Sequence, residues 1–230
     1  METLVGLVSP STMYQTSNPR RDEYIFGNNY GNRIYDLGGT PLGILPSDGR
    51  VSERVLDKFD SFLILGGHQM WPYHFQVIHH AVTTGKPLLG ICLGMQSIHR
   101  YFQVMDYMES TGRREDLFGV FQEIRRQPGN ALKRVDNHLM EHVRGQEDAT
   151  KHPVNLLPGS HIHRLVGKDV IRAGSFHKFA IQNPSDRLVV SGTAEDGTLE
   201  VIEYGDKVLG VQFHPEIDRE LLPIFHILFP

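Results

Sequence analysis

The nine residues Leu88-Leu89-Gly90-Ile91-Cys92-Leu93-Gly94-Met95-Gln96 decide how this chain is read. Pro87–Ile91 is a short apolar run of the kind that fills a buried strand. Leu93–Phe102 then places Met95, Ile98 and Phe102 on one side of a helix. A strand that passes directly into a helix, with glycines on both sides of the junction, must turn sharply. Glycine permits that turn and leaves space for another group to approach the backbone. Cys92 stands at the junction. The first-turn N–H groups that follow it have no intrahelical partner, and the positive end of the helix dipole favours an anion there. A thiol in that place is either a nucleophile on a strand–turn–helix elbow or a small apolar filler of a core strand. Position alone leaves both readings open.

The segments upstream repeat the same alternation. Thr3–Val8, Pro41–Leu45 and Phe62–Leu65 read as buried strands. Tyr24–Leu37, stopped by Gly38-Gly39, and Ser52–Phe59 read as helices, and a third helix opens at Pro72 with Phe75, Ile78 and Val82 on its apolar face. Continuous apolar strands alternating with helices predict an α/β fold whose mostly parallel sheet is covered on both faces. From Met105 to Pro153 the chain is polar and charged, with short helical pieces at best. From His161 to Phe213 β signals return, at Leu188–Ser191, Leu199–Tyr204 and Val208–Phe213, the last two joined as a hairpin by Gly205-Asp206. His161 and His163 read as strand residues in that portion. No repeat or linker interrupts the chain, so residues 1–230 are expected to form a single domain with a polar insertion at about 105–153. Leu221–Pro230 carries seven large apolar residues in ten and predicts a helix docked on the sheet, shortened by Pro223; a homodimer contact is the second reading.

Composition narrows the function classes. Of 230 residues, 40% are hydrophobic and 22% charged, which excludes disordered and collagenous chains. Lys and Arg total 23 against 27 Asp and Glu, a net charge of −4, so no basic face for nucleic acid is expected. No apolar run approaches the roughly 18 residues a membrane span needs. Met1–Pro10 contains Glu2 and no Lys or Arg and does not read as a secretory signal. The single cysteine excludes an internal disulfide and a multi-cysteine zinc site, and a cytoplasmic location is expected from it.

A second motif bears on Cys92. In Gly210-Val211-Gln212-Phe213-His214-Pro215-Glu216 a strand ends on His and Glu two residues apart. Such residues share a face of an extended segment, so Glu216 could hold the His214 imidazole in one orientation. His214 could then take the thiol proton and hand it to a leaving amine. A His-x-Glu is weak evidence in a chain with 13 histidines and gains its weight from the elbow.

Together the two motifs resemble the class I glutamine amidotransferase superfamily, and their order along the chain matches it. Within it the chain is most similar to the γ-glutamyl-γ-aminobutyrate hydrolase group, the peptidase C26-type γ-glutamyl hydrolases. Leu65-Gly66-Gly67 with Pro72 resembles that group's Gly-Gly loop. His152-Pro153-Val154 leading to Pro158-Gly159-Ser160 resembles the strand after its insertion. Ser175-Phe176-His177 with Ala180-Ile181 resembles its Asn-Ser-x-His-His-Gln-Ala segment. The resemblance implies a flavodoxin-like three-layer sandwich and a Cys92–His214–Glu216 triad that cleaves a small γ-glutamyl substrate through a thioester, without a cofactor. It also implies that the Gly67 amide joins the Leu93 amide, a first-turn donor, in receiving the oxyanion. Gln96 would contact the glutamyl head group, its other reading being an exposed helix residue. Ser175 and His177 would contact substrate, or else make structural hydrogen bonds. Gly174, Lys178-Phe179 and Gln69 depart from the group's usual Asn, His-Gln and Asp, which opens the identity of the amine portion. Three rival functions are a glutaminase subunit supplying ammonia to a synthetase, a silent binding protein on the same fold, and a zinc hydrolase. No metal is expected: His138-Leu139-Met140-Glu141-His142 spells a zinc-protease pattern, but no third ligand follows it, and a surface helix is the expectation.

Overall fold

A computed structural model describes residues 2–12, 17–114, 116–127, 129–140 and 145–230. The first half alternates as the apolar pattern predicts. β1 (Leu4–Val8) is followed by α1 (Asn28–Asp36), β2 (Thr40–Ile44), α2 (Glu53–Leu56), β3 (Ser61–Ile64), α3 (Pro72–Thr84), β4 (Leu88–Ile91) and α4 (Leu93–Thr111). Then come α5 (Leu117–Ile124), β5 (Lys133–Arg134), β6 (Lys151–Leu156), α6 (His161–Val166) and β7 (Val170–Gly174). The chain continues through β8 (Phe179–Ala180), β9 (Val189–Ala194), β10 (Leu199–Tyr204) and β11 (Val208–Val211) to a 3-10 helix at Arg219–Leu228.

Among the described residues, nine strands form one sheet in the order β2-β1-β3-β4-β11-β10-β9-β6-β7, and β5 and β8 form a separate ribbon. β2, β1, β3, β4 and β11 run parallel, and the C-terminal β-rich portion extends the sheet by antiparallel pairing from β11 outward. The hairpin expected across Gly205-Asp206 is the β10–β11 pair. Side chains alternate across each strand and build two cores. Phe62, Ile64 and Leu88 pack with α3, α4 and α5 on one face. Leu63, Leu65, Leu89 and Ile91 pack with α1, α6 and the C-terminal 3-10 helix on the other. That last helix buries Leu221, Ile224, Phe225, Ile227 and Leu228 and contains Pro223. The result is the three-layer α/β sandwich the sequence predicts.

Several boundaries differ from the sequence reading. α1 begins at Asn28 instead of Tyr24, and the expected Ser52–Phe59 helix is a single turn. α4 runs through Met105 to Thr111, so the expected insertion opens inside a helix, and it contains α5 and β5. His161 and His163 lie on α6, not on a strand. Glu141 and His142 of the zinc-protease-like pattern lie outside the described residues. Among the described residues no helix is long and apolar enough to cross a membrane.

The turn into α4 depends on close backbone packing. A Cβ on Gly94 would stand 2.5 Å from the Ile64 carbonyl oxygen and 3.1 Å from the Ile64 Cβ, a contact with a central strand that no rotamer can relieve. Gly94→Ala should therefore cost about 1–3 kcal/mol by forcing α4 off the sheet. Urea unfolding would show it as a lower midpoint; an unchanged midpoint would mean that the helix can shift freely.

Candidate active site

β4 ends at Ile91, and Cys92 follows with φ 53° and ψ −103° before α4 starts at Leu93. A non-glycine residue at positive φ is strained by roughly 1–3 kcal/mol, and such strain persists only where neighbouring structure enforces it. Here the Cys92 N–H donates to the Val211 carbonyl at 2.8 Å on one side, and the Cys92 carbonyl accepts from the Gln96 N–H at 3.1 Å on the other. Strand and helix together hold the sulfur-bearing residue at the crest of the turn, buried but for 8% of its surface.

β11 lies parallel to β4, so its end comes level with the elbow. His214 follows it, with its N–H on the Gly174 carbonyl at 3.0 Å. Its Nδ1 is 2.7 Å from Glu216 Oε1, and Glu216 is 4% exposed. Nε2 is buried without a hydrogen-bond partner of full geometry, yet Cys92 is close enough to influence the ring. Burial pushes the imidazole down, but the Glu216 charge and Cys92 outweigh it and hold the group well above the usual histidine value. The three residues singled out by the two sequence motifs thus occupy one site.

Two residues that the sequence reading did not single out brace this arrangement. Arg33 on α1 donates from Nε to the Glu216 carbonyl at 3.0 Å and pairs with Asp36 at 2.6 Å. Tyr30, one turn earlier, accepts from the Gly66 N–H at 3.2 Å. Burial first, and the nearby Glu216 charge second, keep the Tyr30 hydroxyl protonated well above the usual tyrosine value. The helical spacing of Tyr30, Arg33 and Ile34 was the available signal, since it puts all three on the buried face of α1.

The Gly-Gly loop approaches the same point. A Cβ on Gly66 would lie 3.0 Å from His214 Cε1 and 3.6 Å from Cys92 Cβ. One on Gly67 would lie 2.6 Å from Pro10 Cβ and 3.1 Å from Leu93 Cδ2. The Gly66 N–H is engaged by Tyr30, which leaves Gly67 as the loop's candidate donor beside the first-turn amide of Leu93. A cavity of about 930 Å³ opens here, reached by Cys92, His214, Gly67 and Gln96. Gln96 is 7% exposed, so the solvent-facing reading does not hold; its Nε2 donates to the Phe179 carbonyl at 3.0 Å and to Gln212 Oε1 at 3.1 Å. Ser175 is fully buried, and its hydroxyl donates to the His138 carbonyl at 2.8 Å. His177 borders the cavity, but its ring nitrogens are directed to the Phe179 carbonyl and to Glu200. Leu139, Phe176, Lys178 and Phe179 form the rest of that wall.

The chain is similar to several known proteins. Residues 118–216 match the Peptidase C26 family. A CTP synthase of Geobacter metallireducens is 30% identical over 191 residues, which is 74% of this chain and 34% of that protein. The chain thus spans about a third of the length of the CTP synthases it matches. A glutamine amidotransferase-like protein of Rickettsia prowazekii is 24% identical over 236 residues, covering 84% of this chain and 83% of its own. The glutaminase domain of Trypanosoma brucei CTP synthase, solved with bound acivicin, superposes with a TM-score of 0.66 at 13% identity, over 98% of this chain and 91% of that one, and shares the fold. Together, the Peptidase C26 match, the CTP synthase relatives and the shared fold support a class I glutamine amidotransferase-like superfamily for this chain.

Proposed function

We propose that the protein is a cysteine-dependent amide hydrolase that cleaves the γ-glutamyl bond of a small γ-glutamyl amine. The observation that carries the reading is the strained Cys92 elbow level with an imidazole already locked on Glu216 at 2.7 Å, both opening into one cavity. His214 accepts the Cys92 proton, and the sulfur adds to the γ-carbonyl carbon. The carbonyl electrons move to oxygen, which the Gly67 and Leu93 amides receive; one such donor is worth roughly 3–4 kcal/mol of transition-state stabilisation. As the C–N bond breaks, the imidazolium gives its proton to the departing amine. Water then gives a proton to His214 and attacks the γ-glutamyl thioester, the C–S bond breaks, and the thiol is restored. Glu216 keeps the imidazole in the tautomer that presents Nε2 to sulfur, and Gln96 meets the glutamyl head group at the cavity floor.

The amine portion extends towards Leu139, Phe176 and Phe179, each about half exposed, with the Lys178 ammonium beside them. That wall suits an amine that is partly apolar and carries an acidic group. The second reading is a glutaminase that passes ammonia to a synthetase, favoured by the match to one third of CTP synthase. Incubating the purified chain with glutamine and with a panel of γ-glutamyl amines separates them. The hydrolase reading expects rapid amine release from one or more of the panel, at rates well above ammonia release from glutamine, with no other protein present. Activity confined to glutamine would favour the second reading, and failure to act on either would refute the first.

A further inference from the structure

Behind the Lys178 wall, four side chains from separate parts of the chain converge on one buried point. Glu200 on β10 is fully buried, and both of its carboxylate oxygens lack a hydrogen-bond partner. Its Oε1 lies 3.3 Å from His138 Nδ1, 3.4 Å from His177 Nε2 and 3.7 Å from His152 Nε2. The outer nitrogen of each imidazole is already committed to an acceptor. His138 Nε2 meets Asp196 Oδ2 at 3.1 Å, His152 Nδ1 meets the Pro153 carbonyl at 3.2 Å, and His177 Nδ1 meets the Phe179 carbonyl at 3.2 Å. An acceptor at one ring nitrogen fixes the proton there and turns the other nitrogen into a lone pair. His138 Nδ1 also meets the Ser175 hydroxyl at 3.2 Å, but the inward lone pairs of His152 and His177 then face a carboxylate, acceptors with nothing to accept. A second proton on His138 satisfies its own contact with Glu200. It leaves Glu200 Oε2, His152 Nε2 and His177 Nε2 buried and unpartnered, which is costly for each group.

A divalent cation would give Glu200 and the inward imidazole nitrogens the partner they lack. Tetrahedral zinc with bonds of about 2.0–2.1 Å sets neighbouring ligand atoms about 3.4 Å apart. The distances to Glu200 Oε1 bracket that spacing, and the ligand atoms of His138, His152 and Glu200 all lie within 4.8 Å of one another. The outer contacts are those of liganding histidines, which donate their far N–H to a carboxylate or a backbone carbonyl. We propose that His138, His152 and Glu200, with His177 beside Glu200, form a structural divalent-metal site of zinc-binding chemistry, distinct from the Cys92 centre. Its role follows from its anchors. His152 and Glu200 stand on β6 and β10, two strands of the main sheet, whereas His138 and His177 stand on two loop segments joined by the His177 N–H to His138 carbonyl bond at 2.9 Å. Those segments carry Leu139 and Phe176, so the ion fastens the cavity wall to the sheet.

The test is metal analysis of the untagged full-length chain after dialysis against zinc and then against metal-free buffer. The expected result is one zinc per chain, removed by a strong chelator with a melting temperature several degrees lower, and restored by adding zinc back. Cobalt substitution should give tetrahedral d–d absorption without a thiolate charge-transfer band, and Cys92→Ala should keep its metal, which separates this site from zinc caught by the triad. Glu200→Gln and His152→Ala should each lose the ion. Less than a tenth of an equivalent in the wild type, a thiolate band with cobalt, or metal lost in Cys92→Ala would overturn the proposal. The readouts do not depend on γ-glutamyl hydrolysis, so a failure here and a failure of the catalytic reading are separable.

Discussion

Replacing Cys92 by Ala should lower γ-glutamyl amide cleavage by about 10⁴-fold or more, because loss of a nucleophile leaves only the oxyanion donors and binding to act. The fold should survive: the side chain is 8% exposed and loses one sulfur, and alanine inherits the same positive φ. Cys92→Gly sharpens the result. Glycine adopts φ 53° without strain, so this variant should melt higher than Cys92→Ala, by up to about 1–3 kcal/mol of relieved strain, while being equally inactive. A more stable, inactive glycine variant would show that the elbow's conformation is held against its own preference for the position of the sulfur. Mass spectrometry of the wild type, quenched during turnover, should find the γ-glutamyl thioester on Cys92. Activity persisting in either variant would end the mechanism.

What the sequence revealed and what it hid divide along physical lines. The strands beneath the site were legible because they are short, continuous apolar runs next to glycines, and the Cys92 turn was legible because Gly90 and Gly94 bracket it. α6 was misread for a reason outside its own residues. Its N-terminus is capped by Ser160, whose hydroxyl accepts from the His163 N–H at 3.3 Å, and by the Glu203 carboxylate. That carboxylate takes the His161 and Ile162 N–H groups at 3.0 and 2.8 Å from 42 and 41 residues away. Local periodicity cannot carry a cap supplied by β10. α4 was cut short for the opposite reason: beyond Val104 it becomes partly exposed and polar, which resembles the end of a helix when only apolar spacing is followed. The cluster of three histidines and one glutamate was hidden because its members come from positions 138, 152, 177 and 200, and no spacing rule joins them. The pattern that had drawn notice to His138 pointed to a different partner altogether.

Glu216→Gln should lower kcat by a comparable margin, about 10⁴-fold, as when the orienting carboxylate of a related triad is neutralised. The argument runs through the proton on His214. Glu216 Oε1 at 2.7 Å can only accept, so it draws the ring proton to Nδ1 and frees Nε2 to serve the thiol. A glutamine there can turn its amide N–H towards Nδ1, which moves the proton to Nε2 and leaves no base facing Cys92. The pH profile should change as well. His214 is held well above the usual histidine value because the Glu216 charge, with Cys92, outweighs burial. Removing that charge leaves burial to dominate, and the imidazolium then loses its proton at lower pH. The alkaline limb of kcat/KM should therefore move to lower pH, while Gln, close in shape to Glu, leaves Arg33 able to hold the backbone carbonyl of residue 216 at 3.0 Å. A purely structural role for Glu216 would lower activity evenly at every pH. A shifted limb would therefore separate the triad role from simple loss of packing, whereas a profile that keeps its shape would assign the imidazolium's stability to some other group.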